Sequence, residues 1–506
     1  MSPFFVHNLS PENRGNKMPI QKLNRSKSLF FLLAAVSLWF GPQTVCLRAE
    51  SEEAPEIILT ADFSDVVGRI KAVNGTNLGP RLSSSRYNTH RPLFKDAHFG
   101  LVRLHDAPAD NSGFRIVDVQ HIFGNMNDDP ADPANYYFTA TDDYIKSILD
   151  AGSPILYRLG ASIEHSAPNT YFVKEPEDYE KTGEIYAGIV RHYNKGWGNG
   201  FHWNIEYWEI WNEPNIGQAM WDKDFAAYCR FYAAMAKRLK REFPEIKVGG
   251  PAISEYAADL LSQFIDYCRQ ENAPLDFCSW HAYTASLDDI TSSPAKVRRL
   301  LDERGFTETE LHLDEWHYFN CAWDEVQGTK GDLDFRVALN NGDHGLNGID
   351  AAAFDACALI LWQDTPLDSS SYYCTTMATD DNWGLIDKYG FPFKTYYAFR
   401  MFGEMTDSAP NRIRCGGAPE NIAILGGTGS GGAKRLIVAS FKEKASALTI
   451  RLSGVPRSGT VTVESLEAGR QREPSVSDLA YTDGVIDLGP VTGSTVKLIR
   501  FSPAEN

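Results

Sequence analysis

The sequence predicts a (β/α)8 TIM barrel followed by an all-β sandwich. Three observations carry that expectation. Between residues 70 and 404, short β-rich runs alternate with amphipathic helical runs. After residue 405 the pattern changes to short alternating runs separated by Gly, Pro, Ser and Asp. The length of 506 residues exceeds one ordinary core, which points to a large domain plus a smaller one.

Residues 1–49 are expected to be a secretory leader. Lys22, Arg25 and Lys27 precede an apolar run from Leu29 to Phe40, Pro42 breaks that run, and Ala49 stands before the acidic Glu50-Ser51-Glu52-Glu53. A basic segment, a short apolar core and a small residue make a signal peptide. The run is too short to span a bilayer as a mature helix. Met18 is a second candidate start. The expected product is secreted or periplasmic, with no membrane association after cleavage. The stretch 50–69 holds the alternating run Glu56–Phe63, which is expected to join the C-terminal sandwich.

The barrel is assigned to 70–404. Its strand candidates are Ile70–Asn74, Leu101–His105, Ile155–Leu159, Tyr207–Trp211, Lys247–Gly250, Phe277–His281, Leu311–Glu315 and Leu359–Gln363. Helical runs between them include Asp142–Ala151, Tyr179–Tyr193, Asp224–Phe243 and Glu255–Arg269. A doubly wound open sheet would alternate in the same way. It would also want a glycine-rich nucleotide turn after the first strand, and Asn74-Gly75-Thr76-Asn77-Leu78-Gly79 is not one.

The sandwich is assigned to 405–506, with strands at Ile422–Leu425, Arg435–Phe441, Ala447–Leu452, Thr460–Ser465, Val485–Leu488 and Thr495–Phe501. The glycine-rich run 426–432 lacks the Gly-Lys-Ser/Thr ending of a phosphate loop and lies between two strands, so it reads as a hairpin loop.

Composition narrows the function. With 49 Lys+Arg against 66 Asp+Glu, the formal charge is −17. A nucleic-acid binder needs a basic face, so no nucleic-acid partner is expected. Seven cysteines, Cys229 to Cys415, follow the leader's Cys46 without any CxxC spacing, and no HExxH occurs. No metal and no cofactor is expected.

The chemistry concentrates at predicted strand ends, where barrel enzymes place their reacting groups. Strand two ends in Arg103-Leu104-His105-Asp106, and strand four runs through Trp211-Asn212-Glu213-Pro214. Strand six ends in Trp280-His281-Ala282-Tyr283, strand seven in Asp314-Glu315-Trp316-His317, and strand eight in Trp362-Gln363-Asp364. Two Glu facing each other across one cavity suggest glycoside hydrolysis. A retaining enzyme needs one protonated carboxyl for the leaving oxygen and one carboxylate about 5–5.5 Å away to attack the anomeric carbon. The acid must keep its proton near neutral pH through burial and a neighbouring negative charge.

Trp211-Asn212-Glu213-Pro214 resembles the acid/base signature of the clan of barrel glycosidases with catalytic Glu on strands four and seven. Asp314-Glu315-Trp316, 102 residues on, suits the nucleophile. Within that clan the chain resembles glycoside hydrolase family 39, which includes β-xylosidases and α-L-iduronidases. Further support comes from Asn74-Gly75-Thr76-Asn77-Leu78-Gly79-Pro80, Val102-Arg103-Leu104-His105, Phe277-Cys278-Ser279-Trp280-His281-Ala282-Tyr283 and Lys394-Thr395-Tyr396-Tyr397-Ala398-Phe399. Strand seven departs from the xylosidase-like Thr-Glu-Trp-Asn.

The resemblance implies Glu213 as acid/base, Glu315 as nucleophile, Asn212 on the sugar 2-hydroxyl, and Tyr283 as a donor to Glu315. It further implies His105, His281, Trp316 and Trp362 around the sugar subsite, Trp362 as a platform at the end of strand eight. Glu209 and Trp211 read as barrel packing. Asp314 should point to the opposite side from Glu315 by strand alternation.

The expected activity is a retaining exo-glycosidase of β-xylosidase type, acting on terminal sugars of plant or algal oligosaccharides. The same mechanism on an α-L-iduronide, arabinoside or galactoside stays open, as does an endo-acting relative. A uronide site would want a cluster of Lys or Arg; Arg103 and Arg158 are the barrel-strand arginines in view. A carbohydrate-binding barrel without activity is the non-enzymatic alternative, and a homo-oligomer is compatible with all of these.

Overall fold

The computed structural model describes residues 54–80, 90–107, 115–162, 173–217, 220–321, 342–376, 384–387 and 389–502; the expected leader lies outside them. A long strand, β1 (Glu56–Arg69), precedes the barrel. The barrel strands are β2 (Gly75–Asn77), β3 (Val102–Leu104), β4 (Ile155–Leu159), β5 (Tyr207–Ile210), β6 (Lys247–Ile253), β7 (Phe277–Thr284), β8 (Glu310–Tyr318) and β9 (Ser369–Tyr372). Each pairs in parallel with the next, and β9 returns to β2 through Gly75↔Ser371 and Thr76↔Tyr372, so the sheet has no free edge.

Helices α1 (Arg91–Asp96), α2 (Val119–Ile122), α3 (Thr139–Leu149), α4 (Tyr179–Lys195), α5 (Phe225–Glu242), α6 (Ala258–Glu271), α7 (Leu287–Asp302), α8 (Ile349–Leu361) and α9 (Lys394–Ser408) lie in the connections between strands or after β9. Several starts are chemically marked. Asp178 accepts from Lys181 N, Asp224 from Ala227 N and Ser286 from Asp289 N, each satisfying an otherwise orphaned amide of a first turn. Gly196, at φ +74°, ends α4 in the left-handed conformation that glycine adopts without strain. No helix among the described residues is long and apolar enough to cross a membrane.

Two predicted barrel strands are corrected. Leu359–Gln363 is not strand eight: it is the end of α8 and a following 3-10 turn, Trp362–Asp364. The run continues an apolar segment from Ile349 that is rich in Ala, the best helix former. The real eighth strand, Ser369-Ser370-Ser371-Tyr372, is short and polar and carries no β signal. The first strand is Gly75–Asn77 rather than Ile70–Asn74. Here glycine is required by close approach, since a Cβ on Gly75 would meet Ser370 O at 2.2 Å and Leu101 O at 2.9 Å.

The second region is mostly sheet. Its strands are β10 (Asn411–Gly416), β11 (Ile422–Thr428), β12 (Lys434–Ser440), β13 (Ala447–Ser453), β14 (Gly459–Leu466), β15 (Ser475–Tyr481), β16 (Val485–Asp487) and β17 (Thr495–Phe501). They form one hydrogen-bonded sheet in the order β15-β14-β17-β12-β11-β10-β1-β13-β16. The pre-barrel strand β1 sits inside it, antiparallel to β10 and parallel to β13. The sheet curls on itself: Phe63 of β1 meets Phe501 of β17 at 5.0 Å, although three strands separate them in the sheet order. Leu59, Ile413, Leu436, Ile450, Val461 and Ile499 fill the space inside. The opposite face, with Leu425, Ile437, Ala439 and Leu498, joins the barrel's core. Arg435 and Arg500 donate to Glu404 of α9 at 2.9 and 2.6 Å, and Lys394 donates to the carbonyls of Glu467 and Gly469 at 2.7 Å.

Candidate active site

The site begins with how β5 ends. Trp211 N donates to Leu159 O at 2.7 Å and Glu213 N to Ala252 O at 2.8 Å, pinning the turn to the strands on either side. Trp211 and Glu213 both have positive φ, +74° and +44°. For side-chain-bearing residues that costs on the order of 1–2 kcal/mol each. The turn is held by packing: the Trp211 ring meets Trp221 edge-on at 5.1 Å, and its Nε1 donates to Met220 O at 2.7 Å. Trp211 is thus structural, and the strain it shares serves to aim Glu213 into the barrel mouth.

Glu315 is aimed by a different device. The pairing of β7 with β8 runs Trp280↔Leu313 and then His281↔Glu315, so Asp314 is an extra residue in a β-bulge. Asn77 Nδ2 clamps the bulge by donating to the Asp314 carbonyl at 2.9 Å. The expectation that Asp314 points away from Glu315 is therefore corrected. Strand alternation fails at the bulge, and both carboxyls face Arg103, at 3.1 and 3.2 Å.

One carboxylate oxygen of Glu213, one of Glu315 and one ring nitrogen of His281 lie within 4.8 Å of one another. His281 Nδ1 is 2.8 Å from Glu213 Oε1, and its Nε2 is 3.7 Å from Glu315 Oε2. Tyr283 donates to Glu315 Oε1, and Arg103 Nη1 donates to Oε2 at 3.2 Å. Asn212 Oδ1 accepts from Arg103 Nη2 at 2.6 Å, which orients the amide beside the two Glu.

The surroundings separate the two carboxyls chemically. Burial raises Glu213 to about 7, with Asp106 adding to the rise and Arg103 opposing it. Burial also raises Glu315, with Glu213 adding to the rise, but the Arg103 guanidinium and the Tyr283 hydroxyl favour its anion. Burial holds His281 neutral, down to about 4. A proton shared between the two Glu thus rests on Glu213, which can protonate a leaving oxygen while Glu315 attacks. The same three atoms meet the spacing of a metal site. A fixed guanidinium on Glu315 works against a cation there.

The expected site residues divide into two groups. Glu213, Glu315, Asn212, His281 and Tyr283 converge. His105 lies just outside them at the end of β3, with its Nε2 3.5 Å from Asp106 Oδ2, and burial holds it neutral, down to about 3. Trp316 and Trp362 do not converge. Both are fully buried, edge-on to each other at 4.9 Å, with Phe399 of α9 stacked on Trp316. Trp316 Nε1 donates to Ser370 Oγ and Trp362 Nε1 to Ile290 O. Their placement at the subsite is corrected: Trp316 alternates outward from Glu315, and Trp362 belongs to a helix end rather than a strand end. The aromatic that does follow the eighth strand is Tyr373, whose hydroxyl donates to Asp106 Oδ2 at 2.9 Å. Its signal in the sequence was a Tyr pair after a polar run, readable only once Ser369–Tyr372 is known to be the strand.

The family model described as "Glycosyl hydrolases family 39" matches residues 97–330. A beta-xylosidase of Geobacillus stearothermophilus is 23% identical over 257 residues, 46% of this chain and 48% of the relative. A beta-xylosidase of Caldicellulosiruptor saccharolyticus is 25% identical over 324 residues, 58% of this chain and 63% of the relative. The matches thus span between about half and under two thirds of these relatives' length. Among solved structures, a glucosidase from Croceicoccus marinus superposes with a TM-score of 0.70 at 23% identity, covering 88% of this chain and 98% of the other. The GH39 enzyme from Xanthomonas axonopodis pv. citri gives 0.67 at 16% identity, covering 90% and 99%. These likenesses establish the shared fold, a barrel with an attached sheet region.

Proposed function

We propose, from the match of residues 97–330 to the model of glycosyl hydrolases family 39, that this chain is a retaining exo-glycosidase of β-xylosidase type. The observation that carries the reading is the spacing of the two carboxyls. Glu213 and Glu315 oxygens within 4.8 Å leave no room for a water between carboxylate and sugar, as an inverting enzyme requires. Glu315 attacks the anomeric carbon as Glu213 protonates the leaving oxygen. A covalent glycosyl-enzyme forms, the negative charge of Glu315 disappears, and Glu213 then takes a proton from the incoming water.

The similarity to two curated beta-xylosidases makes a xyloside the first substrate to test. A uronide is less well served, because Arg103 is surrounded by Glu209, Asp314 and Glu315, and Arg158 is paired with Asp118 at 2.6 Å. Both charges are matched by buried carboxylates, although Arg158 Nε and Nη1 have no hydrogen-bond partner among the described residues. Action on chain ends rests on the length of the connections that follow β3, β8 and β9 in sequence, since long loops after barrel strands can wall a cleft into a pocket. Export rests on the leader pattern in 1–49, and N-terminal sequencing of the mature product checks it.

A screen of aryl glycosides, with NMR of the first-formed anomer and chromatography of an oligosaccharide digest, tests the reading. Retained configuration and early monosaccharide are expected. An inverted product, or a ladder of mixed oligosaccharides, overturns the retaining or the exo assignment respectively.

A further inference from the structure

Beneath Glu315 lies a second pair of buried carboxyls, Glu209 of β5 and Asp314 of the β8 bulge, that the reaction described above does not use. Both are at most 1% exposed, and both touch the Arg103 guanidinium, Glu209 at 2.7 Å and Asp314 at 3.1 Å.

The hydrogens can be counted. A guanidinium has five N–H donors. Nε donates to Glu209 Oε2 at 2.7 Å. Nη2 faces the same oxygen at 2.7 Å and donates to Asn212 Oδ1 at 2.6 Å. Nη1 donates to Glu315 Oε2 and to Asn77 Oδ1, each at 3.2 Å. All five are engaged, and Asp314 Oδ2 shares an Nε whose single hydrogen points at Glu209. The Ser279 hydroxyl goes to Glu209 Oε1 as well, at 2.7 Å. Glu209 therefore collects three donors. Among the described residues, neither oxygen of Asp314 receives a hydrogen bond.

We propose that Asp314 is a neutral carboxylic acid that donates its own hydrogen to ionised Glu209, and that this makes it a positioning residue for the nucleophile. The proposal rests on the retaining reading above, because it concerns the charge that Glu315 faces. Three ionised carboxylates on one buried guanidinium would leave two uncompensated negative charges under the sugar subsite. The group adjacent in sequence to Asp314, Glu315, would then draw a proton and stop being a nucleophile. With Asp314 neutral, Arg103 balances Glu209 and still presents Nη1 to Glu315 and Nη2 to Asn212. The groups facing Asp314 are Arg103 from β3, Glu209 from β5, His281 at 3.7 Å and Cys278 from β7, and Glu315 from β8. Burial and the charge of Glu209 push Asp314 well above the usual carboxylate range, while the Arg103 guanidinium and its hydrogen bonds, against the upward push of burial, hold Glu209 below it, in keeping with the hydrogen count.

The test compares Asp314→Asn and Asp314→Thr, which keep a neutral donor, with Asp314→Ala, which does not. On an aryl glycoside turned over by the wild type, the Asn and Thr variants are expected to keep kcat within about threefold, and the acid limb of the pH profile should stay in place. The Ala variant should lose about tenfold or more, the cost of leaving Glu209 short of a donor. If Asp314 were ionised, Asp314→Asn would remove a negative charge beside Glu315 and move the acid limb to lower pH. That shift, or the loss of activity in both folded neutral-donor variants, overturns the proposal. An infrared difference spectrum, wild type minus Asp314→Asn at neutral pH, reads the same hydrogen without any substrate. A carboxylic-acid C=O band supports the assignment and a carboxylate pair of bands overturns it. A wild type inert toward every aryl glycoside would instead defeat the glycosidase reading, and the infrared arm would still decide the protonation of Asp314.

Discussion

The phenol of Tyr283 donates to Glu315 Oε1 while Arg103 Nη1 stands 3.2 Å from Oε2, so the carboxylate is gripped at both oxygens and cannot rotate out of line. A nucleophile held this way is replaceable only by something that fits its space. Glu315→Ala is expected to abolish turnover, by about 10⁴-fold or more. Azide should restore part of the activity with inversion of the product, since the small anion attacks from the emptied side. Near-wild-type rates in Glu315→Ala would remove Glu315 from the mechanism.

The acid at the other side sets the alkaline limb. Glu213 acts only when protonated, and burial places its titration at about 7, so kcat/KM should fall as pH rises through about 7. Asp106 contributes to that elevation by its negative charge. Asp106→Asn keeps an acceptor for the Tyr373 hydroxyl but removes the charge, and should move the alkaline limb to lower pH. Glu213→Gln should remove the limb altogether and spare only substrates whose leaving group needs no proton. A pH–rate series on the three proteins reads all of this.

How much of this was legible in the sequence depends on what carried each signal. Strands that are apolar and bounded by helices, such as Ile155–Leu159, were readable from pattern alone. Ser369–Tyr372 was not, because a barrel strand flanked by its neighbours' backbones can be small and polar, whereas the Ala-rich α8 before it offered a stronger apolar run. That displacement carried Trp362 to the wrong place. Glu213 and Glu315 were readable because their motif is local. Asp314 was misplaced because a bulge inserts one residue into the alternation, and only the pairing of β7 with β8 reveals it.

The same displacement yields a contrast between two aromatics. Trp362 is fully buried against Trp316, so Trp362→Ala should cost about 3–5 kcal/mol of stability and leave the KM of the surviving folded enzyme unchanged. Tyr373 follows the eighth strand and is bonded to Asp106 beside the catalytic pair, so Tyr373→Ala should raise KM several-fold with a smaller loss of stability. Thermal melts and steady-state kinetics on both variants distinguish them. A raised KM in folded Trp362→Ala would return that ring to the subsite.

Stability should also carry a pH signature from Asp355, which is buried in α8 with no hydrogen-bond partner for either oxygen among the described residues. Burial pushes its carboxyl well above the usual range. In the unfolded chain the same group titrates near about 3.9. Below that pH both states hold the proton and Asp355 costs nothing through ionisation. As pH rises, the unfolded state releases its proton first, so stability falls until the folded group titrates as well. Asp355→Val removes the carboxyl at similar volume. Relative to the wild type it should gain about 1–3 kcal/mol near pH 4, the cost of a buried polar group without a partner, and progressively more toward pH 7. Denaturant melts across that range measure the difference. A gain that is flat with pH would mean that Asp355 titrates alike in the folded and unfolded chains.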